Sequence, residues 1–282
     1  MKPCIYDRGV KVKAERALEG FGEDERGVFE TLRAYQGRIF RLDEHLKRLR
    51  ESAKSVGLEL PRPISTMKKE LELSLADWLR RNPAPKPEEN LSLRMAVWNQ
   101  NALVWVGVRK SISGIFPQGM VLRTTALRRP STHASAPESK TNACQNAVLA
   151  YFDPEPKPDE RLFLDAEGFA AEASVGNIFL VKKKCLLTPP ARGILNGVTR
   201  LFVLECARLA GIEALETPLT RHDLYNADEV FLTNTSWEIL PVRDLDGRSI
   251  GNTVPGPMTR KLHRLFKRRI HSECRKPLSA AH

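Results

Sequence analysis

The 282-residue sequence predicts an α+β fold divided into two domains. Two observations support this. The length exceeds that of a typical single domain. A stretch rich in Gly, Pro, Ser and Thr, residues 111–137, also separates two runs of mixed strand and helix patterns. We therefore predict a small N-terminal α+β domain at 1–115, an interdomain segment and loop at 116–137, and a large C-terminal domain at 138–282.

The N-terminal domain is expected to begin with a strand or hairpin arm at 5–13, because apolar residues alternate there. A hairpin follows, with arms at 28–35 and 39–42. Asp43 is predicted to cap a helix that Gly57 ends, and a second helix is expected at about 65–79. Two further strands are predicted at 91–97 and 103–108.

The C-terminal part repeats this mixture of elements. The predicted strands lie at 120–125, 162–164, 178–181, 229–232 and 239–242. The predicted helices lie at 142–151, 201–209 and from about Pro257 onwards, where the pattern is basic and amphipathic. A turn at 193–199 precedes the middle helix.

Composition excludes several classes of protein. The hydrophobic fraction is 41%, and no stretch approaches the ~18 consecutive apolar residues of a membrane span. The N-terminus lacks the apolar core of a signal peptide, so export is not expected. The five cysteines are odd in number and never form a CxxC pair. Together these features predict reduced thiols in the cytoplasm and no metal site.

The net charge of +11 raises the question of nucleic acid as a partner. The basic residues concentrate in the last helix and around Arg128 and Arg129. No aromatic residues are interleaved with them, and no zinc-ligand spacing accompanies them. We interpret the charge as a solvated basic face, which also suits phosphate and carboxylate ligands.

Lys140 and Glu172 carry the chemistry that the sequence indicates. A lysine amine condenses with an aldehyde cofactor, and Lys140 precedes a predicted helix of small and apolar residues. Glu172 lies among small residues, and a carboxylate beside a pyridine nitrogen keeps that nitrogen protonated. Each residue alone is also compatible with a solvated surface position.

The turn before the middle helix offers a binding site for a phosphate group. Gly197 allows close backbone approach, and the backbone N–H groups of Val198 and Thr199 would face a phosphate at the helix N-terminus. Thr199 could add its hydroxyl or simply cap the helix. An amine, a carboxylate and a phosphate-binding turn are what pyridoxal 5'-phosphate requires. We therefore predict that cofactor, carried by Lys140.

Six segments in a fixed order resemble the class IV aminotransferases, which are pyridoxal-phosphate enzymes of fold type IV. The resemblance extends over nearly the whole chain. The segments are 27–58 (GVFETLRAYQGRIFRLDEHLKRLRESAKSVGL), 139–150 (SKTNACQNAVLA), 168–181 (GFAAEASVGNIFLV), 186–200 (LLTPPARGILNGVTR), 227–242 (ADEVFLTNTSWEILPV) and 246–262 (DGRSIGNTVPGPMTRKL).

The resemblance implies a role for each matching residue. Lys140 would bind the cofactor covalently and Glu172 would contact its ring nitrogen. The residues implied around the phosphate are Arg48, Gly197, Val198, Thr199 and Thr235, and those implied near the substrate are Thr31 and Ser236. The implied fold is a small α/β sandwich-like domain and a larger domain with a β-barrel-like core. The implied assembly is a homodimer that completes an active site between the domains.

Two departures from the family pattern bear on the substrate. The family usually has Tyr-Gly-Asp-Gly before Val-Phe-Glu, whereas this chain has the charged segment 22–27 (GEDERG). The arginine-x-histidine clamp of the D-amino-acid branch is not visible after the strand at 91–97, where Trp98, Asn99 and Gln100 stand instead. This weighs against D-amino acids as substrates.

Three functions therefore remain open from the sequence. The preferred one is an aminotransferase acting on amino acids and 2-oxo acids, with branched-chain amino acids and 2-oxoglutarate as the best candidates. The second is an aminodeoxychorismate lyase that releases 4-aminobenzoate and pyruvate. The third is a non-catalytic basic binding protein that has kept the fold. Neither membrane nor nucleic acid is expected as a partner.

Overall fold

The computed structural model describes residues 4–13, 27–86, 89–110, 115–130, 137–141 and 158–275. These form two compact units. Of the described residues, the first contains those up to 110, 139–141 and 267–275, and the second contains 115–130, 137–138 and 158–266. The predicted helix at 142–151 and most of the segment at 22–27 lie outside the described residues.

The units differ in two places from the predicted domain bounds. Residues 139–141 and 267–275 group with the first unit although they follow the predicted interdomain segment. That segment itself contains a strand, Met120–Arg128, which pairs with strands of the second unit. Strand pairing and helix packing between residues distant in sequence decide both assignments, and local patterns do not reveal them.

The first unit is built on a six-stranded antiparallel sheet with the order β2-β1-β6-β5-β3-β4. The strands are β1 (Cys4–Asp7), β2 (Val10–Val12), β3 (Val28–Tyr35), β4 (Arg38–Ile39), β5 (Glu89–Trp98) and β6 (Asn101–Lys110). Helices α1 (Leu42–Ser55) and α2 (Ile64–Arg81) share one apolar core with the sheet. The predicted hairpins and both predicted helices are confirmed here.

Helix α1 begins differently from the prediction. Its N-cap is Arg41, in the left-handed conformation with φ 52°, and no described side chain caps the helix. The prediction that Asp43 is the cap is wrong, because Asp43 lies within the first turn. A carboxylate there still stabilises the positive end of the helix dipole. Strand β4 is short because the chain turns at Arg41 to enter the helix.

The second unit contains a nine-stranded mixed sheet. Its strands are β7 (Met120–Arg128), β8 (Glu160–Leu164), β9 (Ala170–Ala173), β10 (Asn177–Lys182), β11 (Cys185–Thr188), β12 (Ala214–Glu216), β13 (Glu229–Asn234), β14 (Glu238–Leu245) and β15 (Arg248–Ser249). Its helices are α3 (Val198–Leu209), α4 (Arg221–Tyr225) and the beginning of α5 (Pro257–Arg275).

The path of hydrogen-bonded strands in this sheet runs β10-β13-β14-β7-β8-β9. Strand β9 also lies close to β10, at the start of this path. This confirms the predicted barrel-like core, which Leu122, Leu162, Ile178 and Leu232 fill with other apolar side chains. Strand β9 was not predicted from the sequence, because its alanine-rich segment has little strand propensity and its pairing with β8 defines it. None of the described helices has the length and apolar character needed to cross a membrane.

Candidate active site

The residues predicted for the site are distributed over both units. Lys140, Arg48 and Thr31 belong to the first unit. Those in the second unit are Glu172, Gly197, Val198, Thr199, Thr235 and Ser236. The structure brings the members of each group together within their own unit.

The backbone of Lys140 is fixed on both sides by the first unit. Its N–H donates to Oγ of Ser52 at 3.0 Å, and its carbonyl accepts from the N–H of Phe29 at 3.1 Å. The next residue, Thr141, forms an antiparallel bridge with Val28 at the start of β3. The chain at Lys140 therefore lies against β3 and α1.

The Lys140 ammonium lies over an aromatic ring. Its Nζ is 4.8 Å from the centroid of Phe29, and the guanidinium carbon of Arg94 is 4.1 Å from the same centroid. Successive side chains of a strand alternate between faces, so Phe29 and Thr31 share one face of β3. Thr31 is directly opposite Arg94 of β5 in the register. This face therefore presents a lysine, an arginine and a hydroxyl.

The other face of β3 carries a buried carboxylate, Glu30, which is only 1% exposed. Arg48 donates to it twice, from Nε and Nη2, both at 2.7 Å. Nδ1 of His45 lies 2.7 Å from the second carboxylate oxygen. Arg48 is therefore buried and paired and is not a surface arginine. Its contact with a phosphate stays a prediction.

The charges in this cluster follow from burial and pairing. Burial alone would raise the pKa of Glu30, but the charge of Arg48 and hydrogen bonds from Arg48 and His45 lower it to about 2. Burial lowers the pKa of His45, and the attraction of Glu30 does not compensate. His45 is therefore neutral, and its Nδ1–H donates to the ionised carboxylate. The charges of Glu30 and Arg48 cancel and His45 is neutral, so the cluster beside Lys140 carries no net charge.

Glu172 of β9 is a buried carboxylate in the second unit, 5% exposed. Arg129 pairs with its Oε1, and the backbone N–H of Leu195 donates to the same oxygen at 3.2 Å. The side-chain amide of Asn177 donates to Oε2 at 3.3 Å. These donors orient the Glu172 carboxylate, as the predicted contact with a ring nitrogen requires.

Asn177 joins Glu172 to the predicted phosphate turn. Its amide nitrogen also donates to the carbonyl of Leu195 at 2.8 Å. A Cβ added to Gly197 would overlap Oδ1 of Asn177, so only glycine allows this close approach. The structure therefore brings Glu172 and the Gly193–Gly197 turn together directly.

Helix α3 starts in a way that suits an anion. Gly197 is its N-cap, and no described side chain accepts a capping hydrogen bond from the first turn. Val198 and Thr199 are the first helical residues, and both are buried, at 6% and 7% exposure. Thr199 is therefore not the cap, and its hydroxyl role stays a prediction. The first backbone N–H groups of a helix lack intrahelical acceptors and attract anions.

The turn carrying Thr235 and Ser236 follows β13. Oδ1 of Asn234 accepts from the N–H groups of Ser236 at 2.9 Å and Trp237 at 2.7 Å. The amide of Asn234 donates to the carbonyl of Val175 at 3.0 Å. This ties the turn to the segment between β9 and β10, next to Glu172.

Several residues of this arrangement were not predicted from the sequence: Glu30, His45, Ser52, Arg94, Arg129 and Asn177. Two signals could have identified some of them. Glu30 occupies an inward position of β3, in phase with Val28 and Leu32, where a carboxylate requires partners. His45 and Ser52 are spaced along α1 so that they share the face of Arg48. For Arg129 and Asn177 we find no comparable local signal.

The residues present fit pyridoxal 5'-phosphate by the chemistry of their donors. The first unit offers an amine at Lys140 on a fixed backbone. The second offers an oriented carboxylate at Glu172 and an uncapped helix start at Gly197. These are the groups that the aldehyde, the ring nitrogen and the phosphate of this cofactor need from a protein.

Comparison with known proteins gives a consistent result. The family model described as amino-transferase class IV matches residues 27–245. A branched-chain-amino-acid aminotransferase of Pseudomonas aeruginosa is 32% identical over 268 residues, covering 88% of this chain and 87% of the relative. A D-alanine aminotransferase of Bacillus licheniformis is 29% identical, covering 96% and 93%.

Solved structures resemble the fold over nearly its full length. The T.th. branched-chain amino acid aminotransferase with pyridoxamine 5'-phosphate has a TM-score of 0.83 at 29% identity, covering 98% of this chain and 96% of that one. The same enzyme was also solved with N-(5'-phosphopyridoxyl)-L-glutamate. The branched-chain aminotransferase of Thermoproteus uzoniensis with norvaline has a TM-score of 0.82 at 29% identity, covering 98% and 97%.

Proposed function

The chain belongs to the class IV aminotransferases, and we propose that it moves the amino group of branched-chain amino acids to 2-oxoglutarate. Its cofactor is pyridoxal 5'-phosphate. The observation that carries the proposal is the family match at 27–245, because that range includes every residue predicted for the site.

Lys140 is the proposed proton carrier. When bound, the cofactor withdraws electrons from the amino acid and makes its α-proton acidic. Nζ of Lys140 takes that proton as a base and returns it as an acid. The carboxylate of Glu172, oriented by Arg129 and the Leu195 N–H, would hold a proton on the ring nitrogen.

We assign the phosphate to the uncapped start of α3, and the role of Arg48 at the phosphate rests on the family resemblance alone. The backbone N–H groups of Val198 and Thr199 belong to the uncapped first turn of α3, where they lack intrahelical acceptors. Thr235 is assigned to the same phosphate and Ser236 to the substrate. Fixing the phosphate orients the rest of the cofactor relative to Lys140, which is how positional binding contributes to rate.

The substrate is assigned to the face of β3 that carries Phe29 and Thr31. Phe29 contacts the Lys140 ammonium, so an apolar side chain bound there lies beside the reacting amine. Arg94 is held over the same ring and offers a charged donor for a carboxylate. An aromatic surface and a cation fit a substrate pair in which one member is apolar and the other carries two carboxylates.

The amino-group transfer is tested by assaying purified protein with leucine, isoleucine or valine and 2-oxoglutarate. We expect glutamate formation that depends on both substrates and on added cofactor. Incubation with aminodeoxychorismate tests the lyase alternative in parallel. Release of 4-aminobenzoate without glutamate formation would contradict the aminotransferase and favour the lyase.

We also propose that the protein is a homodimer in the cytoplasm. The dimer rests on the family resemblance, and the location rests on the four described cysteines, Cys4, Cys185, Cys206 and Cys274, none of which is in a disulfide. Light scattering coupled to size-exclusion chromatography should give twice the chain mass of 31.8 kDa. A monomer mass would contradict the dimer.

A further inference from the structure

Helix α1 presents a polar face to the core of the first unit. His45, Arg48 and Ser52 are buried, at 2%, 9% and 2% exposure, and their spacing of three and four residues places them in one row. A buried polar row is costly unless each member has a partner. Glu30 binds the first two, and the third meets Lys140.

Ser52 and β3 together fix the backbone around Lys140. Oγ of Ser52 accepts from the Lys140 N–H at 3.0 Å, while the Lys140 carbonyl accepts from the N–H of Phe29 at 3.1 Å. The two contacts lie on opposite sides of the Lys140 Cα, so they restrain both peptide planes that set the direction of the side chain. Ser52 is the last polar member of the row and the one that touches the lysine directly.

We propose that Ser52 is a positioning residue for Lys140: its hydroxyl fixes the backbone from which the amine reaches the cofactor. This rests on the proposed function of Lys140. The amine moves a proton at a defined atom, and a displacement on the order of 1 Å can lower such a rate by about 10²-fold. Ser52 itself touches neither substrate nor cofactor in this role.

Ser52→Ala removes the hydroxyl, and alanine favours a helix more than serine does, so the helix itself should persist. A matched control is Ser74→Ala in α2, since Ser74 is also fully buried in the first unit and donates to the carbonyl of Glu70 at 2.7 Å. Both variants lose one buried hydrogen bond, so both should lose similar thermal stability. Only Ser52→Ala should affect Lys140.

The first measurement uses protein without cofactor. Hydrogen exchange of the Lys140 amide should accelerate about tenfold in Ser52→Ala and stay unchanged in Ser74→Ala, because one hydrogen bond protects that amide. Exchange equal to that of the wild type would overturn the proposal. This result does not depend on whether the chain binds pyridoxal 5'-phosphate.

The second measurement uses cofactor-loaded protein and the leucine assay. In Ser52→Ala we expect kcat to fall about tenfold with KM within about twofold, since positioning acts on the chemical step. Ser74→Ala should keep the wild-type kcat. Faster exchange without a change in kcat would overturn the positioning role alone. Wild-type protein that takes up no cofactor would contradict the proposed function and the role of Ser52 with it.

Discussion

Two buried carboxylate–arginine pairs, one in each unit, show how similar contacts serve different ends. Glu30 is paired by Arg48 through two bonds of 2.7 Å, and the side chains are 1% and 10% exposed. Glu172 is paired by Arg129, and these side chains are 6% and 21% exposed. In the first pair, His45 makes a further hydrogen bond with Glu30, and the cluster lies in an apolar core. The second is held by a backbone N–H and an amide beside a turn that suits an anion.

The difference teaches that burial alone does not mark a catalytic carboxylate. Both oxygens of Glu30 have partners within its own unit, so its charge serves to hold Arg48 in place. Glu172 is oriented by groups of the turn that leads to α3, so it is coupled to the predicted cofactor site. We therefore expect substitutions of Glu30 to affect stability first and substitutions of Glu172 to affect activity first.

The largest expected effect is on stability. Glu30→Gln should lower the free energy of unfolding by about 3–5 kcal/mol, because it leaves the Arg48 charge buried without its counter-ion. Urea denaturation of protein without cofactor measures this. Glu30→Leu combined with Arg48→Met should recover much of the loss, since neither charge is then buried. A double variant as unstable as Glu30→Gln would show that the pair itself is not responsible.

Acidic pH should weaken the same pair, with a slightly smaller loss of folding stability. The pKa of Glu30 falls from 4.5 to about 2 on folding, so its stabilisation is present above about pH 4.5 and is lost as the pH falls towards 2. The shift corresponds to roughly 3 kcal/mol. His45 acts in the same direction below its ordinary pKa of 6.5, because its folded pKa is lowered and the unfolded chain binds the proton more readily.

Urea midpoints measured from pH 7 to pH 2.5 test this expectation. The wild type should lose stability more steeply below pH 5 than Glu30→Gln does. Equal slopes in the two proteins would mean that Glu30 does not titrate as the structure indicates.

The fold was predictable where local patterns decide it. The row of Leu46, Leu49 and Ala53 in α1 and the alternation in β3 predicted those elements closely. The start of α1 was mispredicted because Arg41 adopts a left-handed conformation, which its residue type does not suggest. Strand β9 was missed because its pairing with β8, rather than its alanines, defines it.

The candidate site was predictable where a motif carries it. Lys140, Glu172 and the turn before α3 followed from residue chemistry and order in the sequence. The contacts of Arg129 and Asn177 with Glu172 join positions 43 and 5 residues apart, and only the folded chain shows them. Ser52 is 88 residues from Lys140, so no local pattern could relate the two.

For the carboxylate pair of the second unit, Glu172→Gln should lower kcat/KM for leucine by about 10²-fold. Loss of one electrostatic partner typically lowers the rate of an active site by this order. Its stability should change less than that of Glu30→Gln. Glu160→Gln is a matched control, because Glu160 is a buried carboxylate of neighbouring β8, 1% exposed. That control should retain activity, and an equal loss in both variants would contradict a specific role for Glu172.

The smallest effect is expected at Arg94, whose guanidinium lies over the Phe29 ring on the proposed substrate face. Arg94→Gln should raise KM for 2-oxoglutarate by about 10-fold to 100-fold, since a charge-assisted hydrogen bond is worth about 1.5–3 kcal/mol. KM for leucine should change less. Steady-state assays varying each substrate in turn decide this, and an equal rise for both would argue against a contact with the additional carboxylate.

The central claim is that Lys140 binds the cofactor, and reduction of the loaded protein with borohydride tests it most directly. Reduction fixes a pyridoxyl group on the lysine that holds the cofactor, and peptide mass spectrometry then locates that lysine. We predict the modification at Lys140 and its loss in Lys140→Ala. Modification of a different lysine, or none in protein that has bound the cofactor, would contradict the claim.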